Sequence, residues 1–170
     1  MSFKVTVKVE DDRVLWDLIM KRARNAGGHV DVGFFGADDA EMPMIAAVQE
    51  FGNKDNRMYN PDGNPAPIPE RPFMRQTYNK YLKEIELFID RQLDRYVKLK
   101  ISYEQVFERT GLYFQRLVRK EMKNSSNWEK NSDVTIERKG SSKPLFDTGT
   151  MWQTLTYLIN KKFGESGINL

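Results

Sequence analysis

The sequence predicts an α+β fold, in which a small antiparallel or mixed sheet packs against a hairpin of two long helices, with one extended loop. Apolar residues over 74–97 recur at steps of three and four, the spacing of one face of an α-helix. Three segments far apart in the chain, 3–10, 29–35 and 154–162, have the pattern of strands, although a helix is an alternative for the last. The helical pair is therefore expected to cover one face of the sheet.

The first part of the chain is expected to form a strand, a helix and a second strand. Residues 3–10 alternate between apolar and polar side chains, as in a half-buried strand. A helix follows, with an aspartate able to cap it, and should end at Gly27. The strand at 29–35 begins with the single histidine, His29. The pattern places no catalytic partner beside it, so an exposed or structural role is expected.

A short helix at 44–51 is expected to stop at Gly52 and to lead into a projecting loop at 53–66. This loop is dominated by Asn, Asp, Gly and Pro, which favour turns. Only Met58 and Tyr59 offer apolar surface there, and burying two side chains contributes at most about 3–6 kcal/mol. Ordering each loop residue costs roughly 1–2 kcal/mol. We therefore expect neighbouring subunits, not the loop itself, to order this segment.

Two long helices are predicted next and should form an antiparallel hairpin. Pro72 can open the first helix, which runs to Val97. The second starts near Ser102, which has the S-x-x-Q spacing of a capping box with Gln105. Gly111 lies inside this helix at a cost of about 1 kcal/mol relative to Ala, which a close helix crossing would explain.

The second long helix also has a basic face, opposite its apolar one. Its members are Arg109, Arg116, Arg119, Lys120 and Lys123. Aromatic residues lie between them, so this face could contact DNA phosphates. A solvated helix face is the simpler interpretation.

The last part of the chain is largely polar. The segment 124–143 is expected to be a polar loop with one short helix, capped by Ser132. A turn then follows at Asp147-Thr148-Gly149, where Gly149 would supply a backbone shape that other residues resist. Aspartic proteases also use a D-T-G triplet. The helical chain before it and the 21 residues after it do not fit that fold, so the turn is preferred.

Composition indicates a single soluble domain over 1–170. The chain has no cysteine and one histidine, which argues against disulfides and structural zinc. It has no stretch apolar enough to span a membrane and no signal-peptide pattern at its start, so a cytoplasmic origin is expected. The phosphate-loop, H-E-x-x-H and G-x-S-x-G patterns are absent. We therefore expect no enzyme activity, no metal and no cofactor.

Charge is distributed unevenly along the chain. Residues 1–70 carry 8 basic and 12 acidic side chains, whereas residues 71–170 carry 19 basic and 12 acidic ones. Such a polarised molecule could stack on copies of itself or on charged partners, whereas a solvated surface with uneven charge is the alternative.

Three segments in order resemble one protein family. They are IAAVQEFG at 45–52, IPERPFMR at 68–75, and RKG at 138–140 followed by KPLFDTG at 143–149. Together they are similar to the neck and tail-completion proteins of long-tailed bacteriophages, within the broad virion-morphogenesis group. The family pattern joins an A-x-x-x-E-F-G helix end, an I-P-x-R-P-F turn, a helical hairpin and a P-L-x-D-T-G turn. Met151 stands where the family usually has Leu, and the loop at 53–66 is longer and richer in Asn.

The resemblance implies a structural virion protein at the head–tail junction, not an enzyme. Such proteins join the tail to the DNA-filled head and resemble rings around the DNA path. The implied partners are copies of the chain in a ring, a head-closure or connector protein, and a tail terminator or tail tube protein, with non-specific contact to genomic DNA and no membrane. The implied location is the neck or tail of the virion, after assembly in the host bacterial cytoplasm. The alternative is a small DNA-binding or packaging-associated phage protein that uses the basic face over 109–123.

The motifs also suggest structural roles for individual residues. We expect Glu50 and Arg71 to form a salt bridge at the base of the loop, and Phe51 and Phe73 to anchor that base in the core. The full set of structural or interface candidates is Glu50, Phe51, Gly52, Met58, Tyr59, Arg71, Pro72, Phe73, Asp147, Thr148 and Gly149.

Overall fold

The computed structural model confirms the α+β class. It describes residues 13–24, 27–36, 39–53, 67–145 and 149–161. The helices are α1 (Arg13–Arg24), α2 (Met42–Phe51), α3 (Phe73–Val97), α4 (Tyr103–Lys123), α5 (Asp133–Lys139) and α6 (Thr150–Thr154), with a short 3₁₀ helix at Ser125–Asn127. The strands are β1 (Gly28–Gly33) and β2 (Thr156–Lys161). In the described part of the chain they form one antiparallel, two-stranded sheet.

Helices α3 and α4 form the predicted hairpin. Tyr96 and Tyr103 meet near the connection, with ring centroids 5.4 Å apart. Farther along, Phe88 stacks on Tyr113 with centroids 4.1 Å apart. Because residue numbers fall along α3 as they rise along α4, the two helices are antiparallel.

The helix ends follow the sequence signals. At the start of α4, the backbone N–H of Gln105 donates to Ser102 Oγ at 3.2 Å, and the backbone N–H of Ser102 donates to Gln105 Oε1 at 3.0 Å. The predicted capping box is thus confirmed. The Ser132 hydroxyl caps α5, and Gly140 ends it in the left-handed conformation. The predicted polar loop therefore contains ordered helical turns at its middle and start.

Helix α4 contributes residues to each of the hydrophobic clusters in the described part of the chain. The main cluster includes Phe73, Val118, Met122 and Leu155, all essentially without solvent exposure. Two smaller clusters continue along α4 toward its start, through Leu117 and Val106 respectively. A helix that contributes to every cluster holds its outer face rigidly, which matters for the basic side chains there.

The sheet lies against α4. In its register Val30 is opposite Ile159. The strand predicted at 29–35 is therefore confirmed, one residue earlier at its start and two shorter at its end. The strand predicted at 154–162 is also confirmed, but it begins at Thr156, after α6 has ended at Thr154. The strand predicted at 3–10 lies outside the described residues.

The structure explains the glycine at position 111 differently from the sequence prediction. A Cβ at this position would lie 2.7 Å from the ring of Tyr157 and 3.0 Å from Val30 Cγ2. These residues belong to β2 and β1, so the sheet, not the partner helix, comes close to α4 here. The expected helix crossing at Gly111 was wrong, because the close neighbour is a strand pair.

We expect Gly111→Ala to destabilise the fold although Ala favours helices. The helix propensity gain is about 1 kcal/mol. Overpacking against a ring and a branched side chain costs about 1–3 kcal/mol, so the net effect should be a loss that grows in Gly111→Val. Thermal unfolding followed by circular dichroism measures it, with the exposed Glu108→Ala on the same helix as control. A higher melting temperature for Gly111→Ala would show that the sheet can move away.

Candidate functional site

The first two segments that carry the family resemblance meet in one place, and Asn131 links the third segment to them. We call this place the motif junction and define it by Glu50, Arg71, Arg75 and Asn131. Glu50 lies in the last turn of α2 and is 5% exposed. Its carboxylate accepts hydrogen bonds from the backbone N–H groups of Met74 at 2.9 Å and Arg75 at 3.0 Å. Arg75 Nε also approaches it at 3.1 Å. Glu50 therefore holds the start of α3 against the end of α2.

Glu50 caps the start of α3 because the residue at the N-cap position cannot do so. Pro72 occupies the N-cap position of α3 and makes no side-chain cap hydrogen bond. The first N–H groups of a helix have no partner within the helix and carry partial positive charge. A carboxylate from a distant segment satisfies both needs, so α2 and α3 are joined at a fixed angle.

Arg71 forms the other half of the motif junction. It is 4% exposed. Its guanidinium donates to Gln49 Oε1 at 2.8 Å, to Asn131 Oδ1 at 3.1 Å and to the backbone carbonyl of Glu129 at 3.1 Å. Burial lowers the pKa of Arg71, and the nearby Glu129 carboxylate partly opposes this. The group stays charged, because the pKa of arginine lies far above neutrality.

The salt bridge expected between Glu50 and Arg71 was wrong. Glu50 pairs with Arg75, which also contacts the exposed Glu70. Arg71 precedes α3 and its backbone N–H is tied to the carbonyl of Gln49 at 2.8 Å. Its side chain therefore points past Glu50 to the 129–131 segment, while Arg75, one turn later, faces the carboxylate.

The two phenylalanines of the motifs have different environments. Phe73 is fully buried, as predicted, and meets Phe34 edge to face at 6.1 Å. Phe51 is 64% exposed, so the expectation that it anchors the loop base in the core was wrong. Its ring lies under the Arg75 guanidinium at 4.9 Å, a cation–π contact at the surface. Phe51 is thus an exposed aromatic side chain beside the loop base.

The loop base itself is a short antiparallel bridge. The backbones of Asn53 and Ile68 exchange hydrogen bonds of 2.9 and 3.0 Å. Gly52 has a φ of 71°, and a Cβ there would lie 2.8 Å from the Ile68 carbonyl oxygen, so only glycine fits. Met58 and Tyr59, like the rest of 54–66, lie outside the described residues.

The D-T-G turn is described only at its last residue. Gly149 has a φ of 84° and occupies the N-cap of α6, as its predicted backbone shape requires. Asp147 and Thr148 lie outside the described residues. The third motif segment still reaches the motif junction, because Asn131 Nδ2 donates to the Lys143 carbonyl at 3.2 Å.

A second feature, the basic groove, runs along α4 beside α3 and α6. It is an open cleft of about 860 Å³. All five basic residues singled out from the sequence line it, together with Arg95 of α3: they are Arg95, Arg109, Arg116, Arg119, Lys120 and Lys123. None of the described residues that line the groove is acidic. The structure therefore gathers cations from two helices around one concavity.

The floor of the basic groove is apolar and aromatic. Phe88, Leu112, Tyr113 and Trp152 line it. The guanidinium carbon of Arg116 lies 5.4 Å from the centroid of Tyr113, and Lys123 Nζ lies 4.5 Å from that of Trp152. These contacts hold positive charge over the aromatic floor.

Arg119 has a structural task that the sequence did not indicate. Its guanidinium donates to the backbone carbonyls of Trp152, Gln153 and Leu155 at 3.0–3.2 Å. These carbonyls lie at the end of α6, where no further helical N–H can reach them. Arg119 therefore fixes α6 on α4 and is not a free phosphate contact, unlike the exposed Arg116, Lys120 and Lys123.

A buried carboxylate with three hydrogen-bond donors around it was missed by the sequence analysis. Glu121 is 1% exposed and accepts from Lys80 Nζ and Tyr81 Oη, both at 2.8 Å. Asn127 Nδ2 donates to its other oxygen at 3.0 Å. Burial would raise the pKa of Glu121, but the hydrogen bonds from Lys80 and Tyr81 outweigh it and hold the pKa below its usual value. Nothing in the linear spacing links these residues.

The remaining chemistry of the described residues is limited. His29 is exposed, with Nε2 at 3.4 Å from Asp31 Oδ2. No group of three or more His, Asp or Glu side chains in the described ranges could hold a metal ion. Of the helices that the structure describes, none combines the length and apolar character that crossing a bilayer requires.

Comparison with known proteins gives no relative. No family model, no curated protein and no solved structure matches the chain.

Proposed function

We propose that this protein is a structural component of a bacteriophage virion at the head–tail junction, where it joins the tail to the DNA-filled head. The observation that carries the proposal is the motif junction. Of the three segments that resemble neck and tail-completion proteins, the first two are tied together by direct hydrogen bonds, and the third is linked to them through Asn131, although up to about 90 residues separate the segments. Chance matches to three short patterns would have no reason to touch. Their proximity in this fold supports the resemblance to this family.

The junction supports a mechanical role. It locks the end of α2, the start of α3 and the 129–143 segment through buried charged groups, and it leaves Phe51 exposed beside the loop base. A rigid platform with an exposed aromatic side chain suits contact with neighbouring subunits. The acidic first part of the chain and the basic remainder would favour a head-to-tail arrangement, which closes into a ring when the rotation fits.

The proposed partners follow from this role. They are further copies of the chain in a ring, a head-closure or connector protein on one side, and a tail terminator or tail tube protein on the other. Genomic DNA would pass through the ring opening. The proposed location is the neck or tail of the virion, after assembly in the host cytoplasm, and no enzymatic step is part of this role.

The test is assembly of particles with and without the protein. A stop codon placed early in the reading frame of the phage genome should give DNA-filled heads and separate tails by electron microscopy. Supplying the wild-type chain from a plasmid should restore joined particles. Light scattering on the purified chain should show a closed oligomer. Joined, infectious particles without the protein would contradict the proposal.

A second candidate function is DNA binding by a small packaging-associated protein. The observation that favours it is the basic groove, where exposed Arg116, Lys120 and Lys123 lie close together. Such a protein would be monomeric and would bind duplex DNA with an affinity that falls steeply with salt. Joined particles in the stop-codon experiment, with loss of DNA from the heads, would favour this candidate.

A further inference from the structure

The outer face of α2 is apolar and exposed. One side of this helix contributes Ala46 to the main core cluster. The opposite side carries Met44, Val48 and Phe51, whose steps of four and three residues place them on one face. Met44 is 65% exposed and Phe51 is 64% exposed. Among the ten residues of α2, all of them described, Glu50 alone is charged, and it is buried. A helix that is apolar on both sides is normally covered on both sides, so we expect a partner on this face.

The ring of Phe51 remains accessible although Arg75 lies over it. The guanidinium carbon is 4.9 Å from the ring centroid. This guanidinium also contacts Glu50 and Glu70, so its charge is compensated. The exposed fraction of Phe51 is what remains with Arg75 in place, and that area is open to an occupant.

Helix α1 presents a face of the same spacing. Val14 and Leu18 lie one turn apart and are 81% and 41% exposed. The exposed Lys21 continues this stripe, so the steps are again four and three residues. Its aliphatic stem can extend the apolar surface while the ammonium group stays in water. The contact of α1 with α3 is made elsewhere on the helix, where the Arg22 guanidinium lies 5.2 Å from the ring centroid of Tyr96.

The two faces lie at opposite ends of α3. Helix α2 is tied to Arg75 through the Glu50 carboxylate, whereas α1 is tied to Tyr96 through Arg22. From Arg75 to Tyr96 the helix rises by about 32 Å. Both faces are exposed in the same structure, so they do not cover each other within one chain. Contact between them requires a second copy.

Charge favours this pairing and sets its direction. Helix α1 carries four basic residues and one acidic residue, whereas residues 39–51 carry three acidic residues and no basic one. Lys21 and Glu41 are both exposed, and neither takes part in an ion pair within the described ranges. An antiparallel arrangement of α1 and α2 brings these two side chains together. A parallel one would instead place Lys21 beside Arg75, where like charges repel.

The spacing of the two helices fits the antiparallel arrangement. Both stripes extend over seven residues, which is about 10 Å of helix. The residues that then face each other are Val14 and Phe51, Leu18 and Val48, and Lys21 and Met44. Glu41 lies one turn beyond Met44, within reach of a lysine side chain. Apolar side chains thus meet at the centre and opposite charges at one end.

We propose that the outer face of α2 binds the exposed face of α1 from a second copy of this chain, with the helices antiparallel and Lys21 paired with Glu41 of the neighbouring copy. Each copy offers a different face on each side, so the contact is head-to-tail. Repetition of such a contact gives a ring when the rotation closes. This contact specifies how subunits meet in the ring of the proposed function, and it rests on that proposed function.

The first test uses full-length chains altered on one face only. Val14→Glu with Leu18→Glu changes the α1 face, and Met44→Glu with Phe51→Glu changes the α2 face. Each variant should associate at least about tenfold more weakly than the wild type in light scattering, while circular dichroism shows an unchanged fold. Leu87→Glu, at another exposed apolar position, is the matched control and should assemble like the wild type. A wild-type chain that stays monomeric at about 0.1 mM would overturn the proposal.

Mixing the two face variants distinguishes a head-to-tail contact from a symmetric one. One variant keeps an intact α1 face and the other keeps an intact α2 face. An equimolar mixture should therefore form dimers and grow no further. A mixture with the mass of single chains would overturn the proposal. Loss of assembly only in the α2 variant would indicate a symmetric contact between two copies of α2 and would overturn it as well.

A charge swap tests the direction of the helices without changing the apolar faces. Lys21→Glu and Glu41→Lys should each weaken association by about threefold or more, because each places like charges together. A chain that carries both changes should return to within about twofold of the wild type. A double variant no better than the single ones would overturn the antiparallel pairing.

Failure of this contact is distinguishable from failure of the proposed function. Joined particles in the stop-codon experiment would contradict the virion role, whatever the face variants do. Separate heads and tails in that experiment, together with normal assembly of both face variants, would contradict the contact alone.

Discussion

Glu50→Ala is expected to lower the free energy of unfolding by about 2–3 kcal/mol, since it removes the only side chain seen to cap α3 in the described structure. The two backbone N–H groups at the start of α3 would lose their acceptor in a buried place. Chemical denaturation followed by circular dichroism measures the loss.

The controls for Glu50 separate capping from surface charge. Glu70→Ala removes the other, exposed carboxylate near Arg75 and should change stability by less than about 0.5 kcal/mol. Glu50→Gln keeps an acceptor and should fall between the two. If Glu50→Ala and Glu70→Ala unfold at the same denaturant concentration, the capping role is refuted.

Glu121→Gln is expected to cost about 1–3 kcal/mol at neutral pH, because the carboxylate is buried and accepts from Tyr81 and Asn127. An amide of the same shape would place an N–H against one of these donors. Urea unfolding of the variant beside the wild type gives the difference.

The same pair of proteins should show a defined pH dependence. The pKa of Glu121 is lower in the folded chain than in the unfolded chain, whose value is about 4.3. Its stabilising contribution is therefore complete above that value and is lost as the pH falls through the folded pKa. The gap between wild type and Glu121→Gln should narrow in acid. A gap that is constant from pH 7 to about pH 3 would contradict the assignment.

Local sequence signals determined most of the elements. Steps of three and four placed α3, and the spacing of Ser102 and Gln105 placed the start of α4 near Ser102. Ser132 placed the start of α5. These signals act between residues one helical turn apart, so they hold whatever the rest of the chain does. The α+β class follows from them, since it needs only the type and order of the elements.

The partners of the charged side chains were decided by the tertiary structure. Arg71 and Arg75 are one turn apart and both precede or begin α3, so spacing alone could not choose between them as the partner of Glu50. The choice depends on where the helix starts and on its angle to α2. The position of Phe51 could not be predicted from spacing either. The apolar pattern of its helix fits a core residue, but the orientation of α2 leaves Phe51 at the surface.

Part of the basic groove was predictable from the sequence, and part of it was decided by the tertiary structure. The sequence by itself determined that α4 carries a row of basic residues, because their spacing along one helix sets a common face. Only the tertiary structure added Arg95 and Gln92 from α3 and Trp152 from α6, and tied Arg119 to the carbonyls of α6. It also set Gly111 against Tyr157 instead of against a helix. Contacts between distant segments depend on how helices and strands pack, and a period of 3.6 residues carries no information about that packing.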